Sequence, residues 1–336
     1  MMTSSRSRVA ILDKLPGKHF ETPDIEQEAL GDAALPYILR SHSIDDIMAP
    51  LGDADALIVW SRFRLDAGVL ARLPRCRGIV CASIGYEHVD LEFAADRGIT
   101  VCNVPDYCTE EVADHTMAMI LALVRKLRLL HECVSEGSWD WQDAGPIMRL
   151  RDVVLGLVGF GRIGMAVARR AQVFGMSVAF HDPYVPSGVE KSLGVQRCES
   201  LHTLLDTAQV VSLHALANDE TRNLIGKSEL ARLTPGTILV NTARGALIDE
   251  AALLEAWASG VIGGLGLDVL ADEPRVPSLL AESPRVIVTP HAAWYSTESF
   301  MENRRKSATA ARHILAGNPV RDTVNRQTHS TQGKAI

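Results

Sequence analysis

The chain has 336 residues, of which 47% are hydrophobic and 22% charged, with a net charge of −7. That length exceeds what one small core usually holds, so two domains are expected, in a composition typical of soluble globular proteins. The acidic balance lacks the basic footprint of a nucleic-acid binder, and the longest apolar stretch, near Met117 to Val124, is far too short to span a bilayer.

The start, MMTSSRSR, is followed by no apolar leader segment, so no signal peptide is expected. Cysteines stand at 76, 81, 102, 108, 133 and 198, with no CxxC pair and no clustered His/Cys spacing. Reduced thiols in the cytoplasm and no metal site are the simplest reading. Both ends, Met1 to Ser7 and about Gln327 to Ile336, read as loose tails.

In chain order, Arg8 to Leu15 and Ala54 to Trp60 read as strands, with helix-like patches between them around Ile25 to Leu30 and Ser43 to Leu51. Asp66 to Leu73 is a short helix ended by Pro74; Gly78 to Ala82 is a strand running into Ser83-Ile84-Gly85. Leu91 to Arg97 is a helix stopped by Gly98, and Ile99 to Val104 a strand stopped by Pro105. Alternating strands and helices imply a parallel α/β sheet. Thr109 then caps a long helix, with Glu110 and Glu111 where the dipole favours acids, and its apolar pattern continues to about Cys133. Gly137 to Leu150, with Trp139 and Trp141, is irregular.

Val153 to Tyr184 reads strand, glycine turn, helix, strand, acid. The apolar run Val153 to Val158 meets Gly159-Phe160-Gly161-Arg162-Ile163-Gly164; Ile163 to Phe174 has helical spacing; Ser177 to Phe180 leads to Asp182. Each part has a physical task in holding a dinucleotide. Gly159 permits the tight turn, Gly161 lets the backbone approach a pyrophosphate, and Gly164 lets the helix sit close to the strand. Free N–H groups at the helix start face the phosphates, with Arg162 and Ile163 inside the turn. Asp182, 18 residues beyond Gly164, suits the ribose hydroxyls and would repel a 2′-phosphate, so NAD is favoured over NADP.

Further strands are Val210 to Leu213, Ile238 to Asn241, Gly263 to Leu270 and Val286 to Thr289; Glu250 to Ser259 and Ser296 to Ala316 are helices. In open α/β sheets ligands sit beyond the carboxyl ends of strands. There stand Arg244, Glu273 and His291, each following a different strand. A histidine can supply a proton to a ketone oxygen on which charge develops, a carboxylate keeps that histidine oriented, and an arginine can grip a substrate carboxylate through two hydrogen bonds. Singly, each has an ordinary structural role. Jointly, beside a nucleotide fold, they favour catalysis. His88, His115, His181, His214 and His313 have no comparable setting and read as structural, and Asp114 and His115 as part of a packing face.

The motifs GFGRIG with Asp182, NTARG, GLDV followed by DEP, and TPH resemble those of the D-isomer-specific 2-hydroxyacid dehydrogenases over about residues 50 to 320. That resemblance implies two Rossmann-like doubly wound parallel-sheet domains separated by an active-site cleft. Residues 1–105 plus 296–336 would form the substrate domain and 106–295 the NAD-binding domain. A dimerisation arm at about 107–150 would build a homodimer. Arg244 would bind the substrate, and Glu273 would pair with His291, the general acid/base. Ser83, Ile84 and Gly85 would hold the substrate's carboxylate. His214, Ala215, Thr242 and Ala243 would contact the cofactor, with Asp268 near the nicotinamide. PHAAWYS, residues 290–296, is most similar to the C-terminal-binding protein branch, in which Trp294 would line the substrate pocket. The expected function is an NAD-dependent D-2-hydroxyacid dehydrogenase acting as a reductase of small 2-oxo acids. The alternative is an NAD(H)-sensing partner-binding protein with weak dehydrogenase activity. No nucleic-acid or membrane contact is expected.

Overall fold

A computed structural model describes residues 6–15, 21–60 and 63–325. The chain divides into two compact units, Met1–Tyr107 with Ser296–Ile336, and Cys108–Tyr295.

The first unit holds a five-stranded parallel sheet of β1 (Ser7–Lys14), β2 (Ala34–Ser41), β3 (Ala56–Val59), β4 (Gly78–Cys81) and β5 (Thr100–Asn103), in the order β2-β1-β3-β4-β5. The central strands are buried on both faces, which is why they read as continuous apolar runs. β2 is the exception. Its half-exposed ALPYILRS lies at the sheet edge, and the sequence reading, which placed only helix-like patches there, missed it. Ser7 begins β1 rather than ending a tail, and Gln327 to Ile336 lie outside the described residues.

The helix Thr297–Leu315 covers this sheet because Ser296 caps it and because Gly78 leaves room for the Ile314 side chain. Its Arg304 is buried. The guanidinium donates to both oxygens of the buried Glu26 carboxylate, at 2.8 and 2.6 Å, and to Asp24 at 2.8 Å.

The second unit holds a seven-stranded parallel sheet. Its strands are β6 (Val154–Val158), β7 (Ser177–His181), β8 (Gln196–Arg197), β9 (Val210–Leu213), β10 (Thr237–Asn241), β11 (Ile262–Leu267) and β12 (Val286–Val288). The order β12-β11-β10-β9-β6-β7-β8 reverses direction at β6, where the chain leaves toward β8 and returns on the other side as β9. Ligand sites of doubly wound sheets lie at such a switch point. Two expectations need correcting. Thr109 is the first helical residue and the cap position is Cys108. The long helix also ends at Val124, because Lys126 adopts a left-handed conformation (φ 54°), and a separate helix, Leu127–Ser135, follows. Lys126 Nζ donates to Ala144 O at 2.6 Å and so stitches the break to the irregular segment beyond it. β11 stops at Leu267, leaving Asp268 to Leu270 in the loop. Among the described residues no helix is long and apolar enough to cross a membrane.

Removing one partner of a buried ion pair strands the other charge, which costs about 3–5 kcal/mol. Arg304→Met should therefore lower the thermal midpoint sharply, and Arg304→Met with Glu26→Met should recover most of the loss. A double variant no more stable than the single one would contradict that account.

Candidate functional site

The glycine turn after β6 is shaped by backbone contacts. Gly159 has φ 91°, and a Cβ there would come within 2.6 Å of Ala215 N. Gly159 N donates to His181 O at 2.9 Å and His214 N to Val158 O at 2.7 Å, so the ends of β6, β7 and β9 are joined. A Cβ on Gly164 would meet Gly159 O at 2.5 Å, which ties the helix Arg162–Val173 close onto the turn. At Gly161 a Cβ would meet nothing, so that side of the turn faces open space. Gly161 is the cap residue and no side chain caps the helix start, leaving its first N–H groups, with Arg162 and Ile163, toward that space. Asp182 accepts from Phe160 N at 2.8 Å and Tyr184 N at 2.9 Å, which fixes its carboxylate beside the turn. These features fit a dinucleotide: a close backbone approach, an anion-favouring helix start and a fixed acid.

His214 and Ala215 form the opposite wall. Burial pushes the His214 imidazole down to about 4, and its Nε2 lies 2.9 Å from Ser212 Oγ. The loop after β10 is held by Asn241, whose amide accepts from Ala243 N at 3.0 Å and donates to Arg244 O at 2.8 Å. Thr242 is buried and its hydroxyl lies 2.8 Å from that of Thr116 on the helix Thr109–Val124.

Arg244 and Glu273 are brought together by a glycine. A Cβ on Gly245 would overlap the Leu270 carbonyl, so only glycine lets the β10 loop lie against the β11 loop. Burial pushes the Glu273 carboxyl up. Hydrogen bonding to His291, the positive charge of that imidazole when protonated, the Leu270 N–H and the nearby Arg244 charge outweigh this and hold it below its ordinary value. Glu273 Oε1 accepts from Leu270 N at 3.2 Å, and Oε2 lies 3.0 Å from His291 Nδ1. A carboxylate only accepts, so Nδ1 carries the proton and Nε2 is the outward nitrogen. The side chains of His291 and Glu273 are 43% and 40% exposed, so the pair is reachable by a small molecule.

His291 itself has φ 54°. Its N–H donates to Asp268 O at 2.9 Å and its carbonyl accepts from Trp294 Nε1 at 2.9 Å. Trp294 packs edge-on against Tyr295 with ring centroids 5.6 Å apart. Asp268 is 2% exposed. Its carboxylate accepts from Thr289 Oγ1 at 2.5 Å, Ala292 N at 2.8 Å and Ala293 N at 3.0 Å. Two participants escaped the sequence reading: Thr289, and His115, which lies 3.0 Å from it rather than serving only a packing face. Their signal is weak in sequence, since a polar residue at the margin of an apolar helix stripe looks like any boundary residue.

In the other unit, Ser83 Oγ donates to Gly85 O at 2.6 Å and Asn103 Nδ2 to Ile84 O at 2.7 Å, which shapes the loop after β4. Among the described residues the N–H groups of Ile84 and Gly85 find no acceptor, a disposition suited to an anion. Among the described residues no group of three or more His, Cys, Asp or Glu could hold a metal ion.

Residues 117–293 match the family model described as D-isomer specific 2-hydroxyacid dehydrogenase, NAD binding domain. The chain is 37% identical over 297 residues to a D-3-phosphoglycerate dehydrogenase of Mycobacterium bovis, a match covering 88% of this chain and 56% of the relative. It thus spans about half the length of the curated relatives it matches. Among solved structures it resembles a D-lactate dehydrogenase from Aquifex aeolicus complexed with NAD and lactic acid. There the TM-score is 0.81 and the identity 31%, over 92% of this chain and 96% of the other. It also resembles an NADPH-dependent glyoxylate/hydroxypyruvate reductase from Sinorhizobium meliloti, with TM-score 0.82 and 29% identity over 95% and 97% of the two chains. The Cys108–Tyr295 unit therefore contains a NAD-binding domain of this family.

His214 gives a pH prediction. Folding depresses its pKa from 6.5 to about 4, so between those values the unfolded chain binds more protons and stability falls as pH falls. The drop in thermal midpoint from pH 7 to 4.5 should be smaller in His214→Gln than in the unaltered protein. Equal drops would show that this imidazole is not the cause.

Proposed function

We propose that this chain, which belongs to the D-isomer-specific 2-hydroxyacid dehydrogenase family, is an NAD-dependent D-2-hydroxyacid dehydrogenase working as a reductase of a small 2-oxo acid. The observation that carries this reading is the pair formed by His291 Nδ1 and Glu273 Oε2, 3.0 Å apart, open to solvent and beside Arg244.

The glycine turn and Asp182 would hold NADH, which when bound would supply the hydride for C2 of the acid. The protein's own groups do the rest. Arg244 grips the substrate's carboxylate and faces the oxygen on which charge develops. His291 delivers a proton to that oxygen from Nε2. Glu273 keeps the Nδ1 proton in place and compensates the positive charge of the imidazolium before transfer. In the first unit the N–H groups of Ile84 and Gly85 suit a carboxylate; in the second the Trp294 indole offers a flat wall for an apolar or sulfur-containing side chain. Residues 1–105 with 296–336 take the substrate role in this reading and 106–295 the cofactor role. Asp182 favours NAD over NADP, because a 2′-phosphate beside its carboxylate would be repelled.

Within the family, the Trp294 stretch supports placement near the C-terminal-binding protein branch. The NAD(H)-sensing alternative predicts tight NADH binding with slow turnover of every acid. A homodimer is supported by the apolar side chains that the 127–150 segment exposes, Trp139 at 90% and Trp141 at 80%.

NADH oxidation should be fast with one member of a panel running through glyoxylate, pyruvate, hydroxypyruvate, 4-methylthio-2-oxobutyrate and phenylpyruvate, with D-3-phosphoglycerate assayed in the oxidative direction. His291→Ala should slow that turnover by about a hundredfold or more; unchanged kcat would remove the histidine from the mechanism. By light scattering the protein should be a dimer, and Trp139→Glu with Trp141→Glu should yield monomers. A double variant that stays dimeric would place the interface elsewhere.

A further inference from the structure

The segment 289–293 that carries His291 has no regular secondary structure, yet its position is fixed through Asp268. That residue takes the Thr289 hydroxyl and the Ala292 and Ala293 N–H groups on its carboxylate, and the His291 N–H on its carbonyl. Behind Thr289 stands His115, on the helix Thr109–Val124. Its Nε2 lies 3.0 Å from Thr289 Oγ1 and 3.9 Å from Asp268 Oδ1.

The direction of these hydrogen bonds follows from the inventory of donors. Thr289 gives its single hydrogen to Asp268, so its oxygen has only lone pairs left for His115. His115 must then donate from Nε2, so a neutral ring there is the Nε2–H tautomer. The series runs one way, from His115 Nε2–H to Thr289 Oγ1–H to Asp268 Oδ1. The next residue on the same helix, Thr116, gives its hydrogen to Val112 O at 2.7 Å and so accepts from Thr242, 2.8 Å away. Two neighbouring helix positions therefore reach two different strand-end loops, the one before Arg244 and the one holding His291.

We propose that His115 is a positioning residue for the reaction. Through Thr289 it sets the Asp268 carboxylate, and with it the place of His291 Nε2. The proposal rests on the reading in which His291 is the proton donor. Shape alone does not require an imidazole here, because an apolar side chain of similar size would fill the margin of the helix's buried stripe. The donor at Nε2 is what the Thr289 hydroxyl needs in order to keep its hydrogen on Asp268.

The test compares His115→Phe, which keeps bulk and removes the donor, His115→Gln, which restores one, Thr289→Val, and the His115→Phe/Thr289→Val double variant. His115→Phe and Thr289→Val should each lower kcat about tenfold to a hundredfold, with the dissociation constant of NADH, followed by tryptophan fluorescence, almost unchanged. The double variant should be no slower than the slower single one, because both break the same series. His115→Gln should recover most of the loss. Unchanged kcat in His115→Phe, or losses that multiply in the double variant, would overturn the proposal. Should His115→Phe not fold, Thr289→Val carries the kinetic test, because it keeps the side-chain shape. Nitrogen-15 spectra of histidine-labelled protein give a readout independent of turnover. His115 should be the Nε2–H tautomer and the His291 ring signals should move in Thr289→Val; an Nδ1–H tautomer at His115, or unmoved His291 signals, would overturn it. A protein that reduces no acid in the panel would sink the functional reading, while these spectra would still decide the positioning contact.

Discussion

Parallel pairing is the constraint on which the second unit depends. All seven of its strands run one way, so each but the last must be followed by a crossover and each delivers its following loop to the same edge. Gly159 to Gly164, Asp182, His214, Arg244, Glu273 and His291 come from six strand ends, and those strands lie consecutively along that edge, in the order β12-β11-β10-β9-β6-β7. Nothing about any single residue makes it part of a site. The chain direction does so, and side-chain chemistry then divides the edge into a nucleotide half around β6, β7 and β9 and an acid–base half around β10, β11 and β12.

Adjacent loops still have to touch, and in two places the contact is backbone on backbone. Gly159 against Ala215 joins the walls of the nucleotide half, and Gly245 against Leu270 joins the arginine loop to the carboxylate loop. Glycine is needed in both because the neighbour is main chain, which cannot turn aside as a side chain can. Polar side chains then fix what the glycines bring close: Asn241 on the arginine loop, Asp268 on the histidine loop.

Much of this was legible in the sequence because it depends on period and punctuation. The strand, glycine turn, helix and acid of 153–184 announce themselves locally, and buried parallel strands read as unbroken apolar runs. Three things were not legible. β2 is an edge strand with a proline and only partial burial, so no apolar run marks it. The helix break at Lys126 has neither glycine nor proline to signal it, since a lysine there takes the left-handed conformation. The participation of His115 and Thr289 depends on two residues 174 positions apart meeting across the fold, which no local pattern encodes. The Arg, Glu and His set could be gathered because each follows a strand; His115 comes from mid-helix and follows none.

The left-handed backbone of His291 also limits how this position can vary. Among residues other than glycine, that region is entered most readily by asparagine, aspartate and histidine. For a β-branched side chain it is a true outlier. A change at this codon thus alters two properties together, the proton-carrying group and the ease with which the loop holds its bend. Asparagine separates them, because it tolerates the bend while lacking the imidazole. Drift away from histidine would therefore be expected to pass through a short list of polar residues, with valine, isoleucine and threonine excluded by the main chain before chemistry is considered.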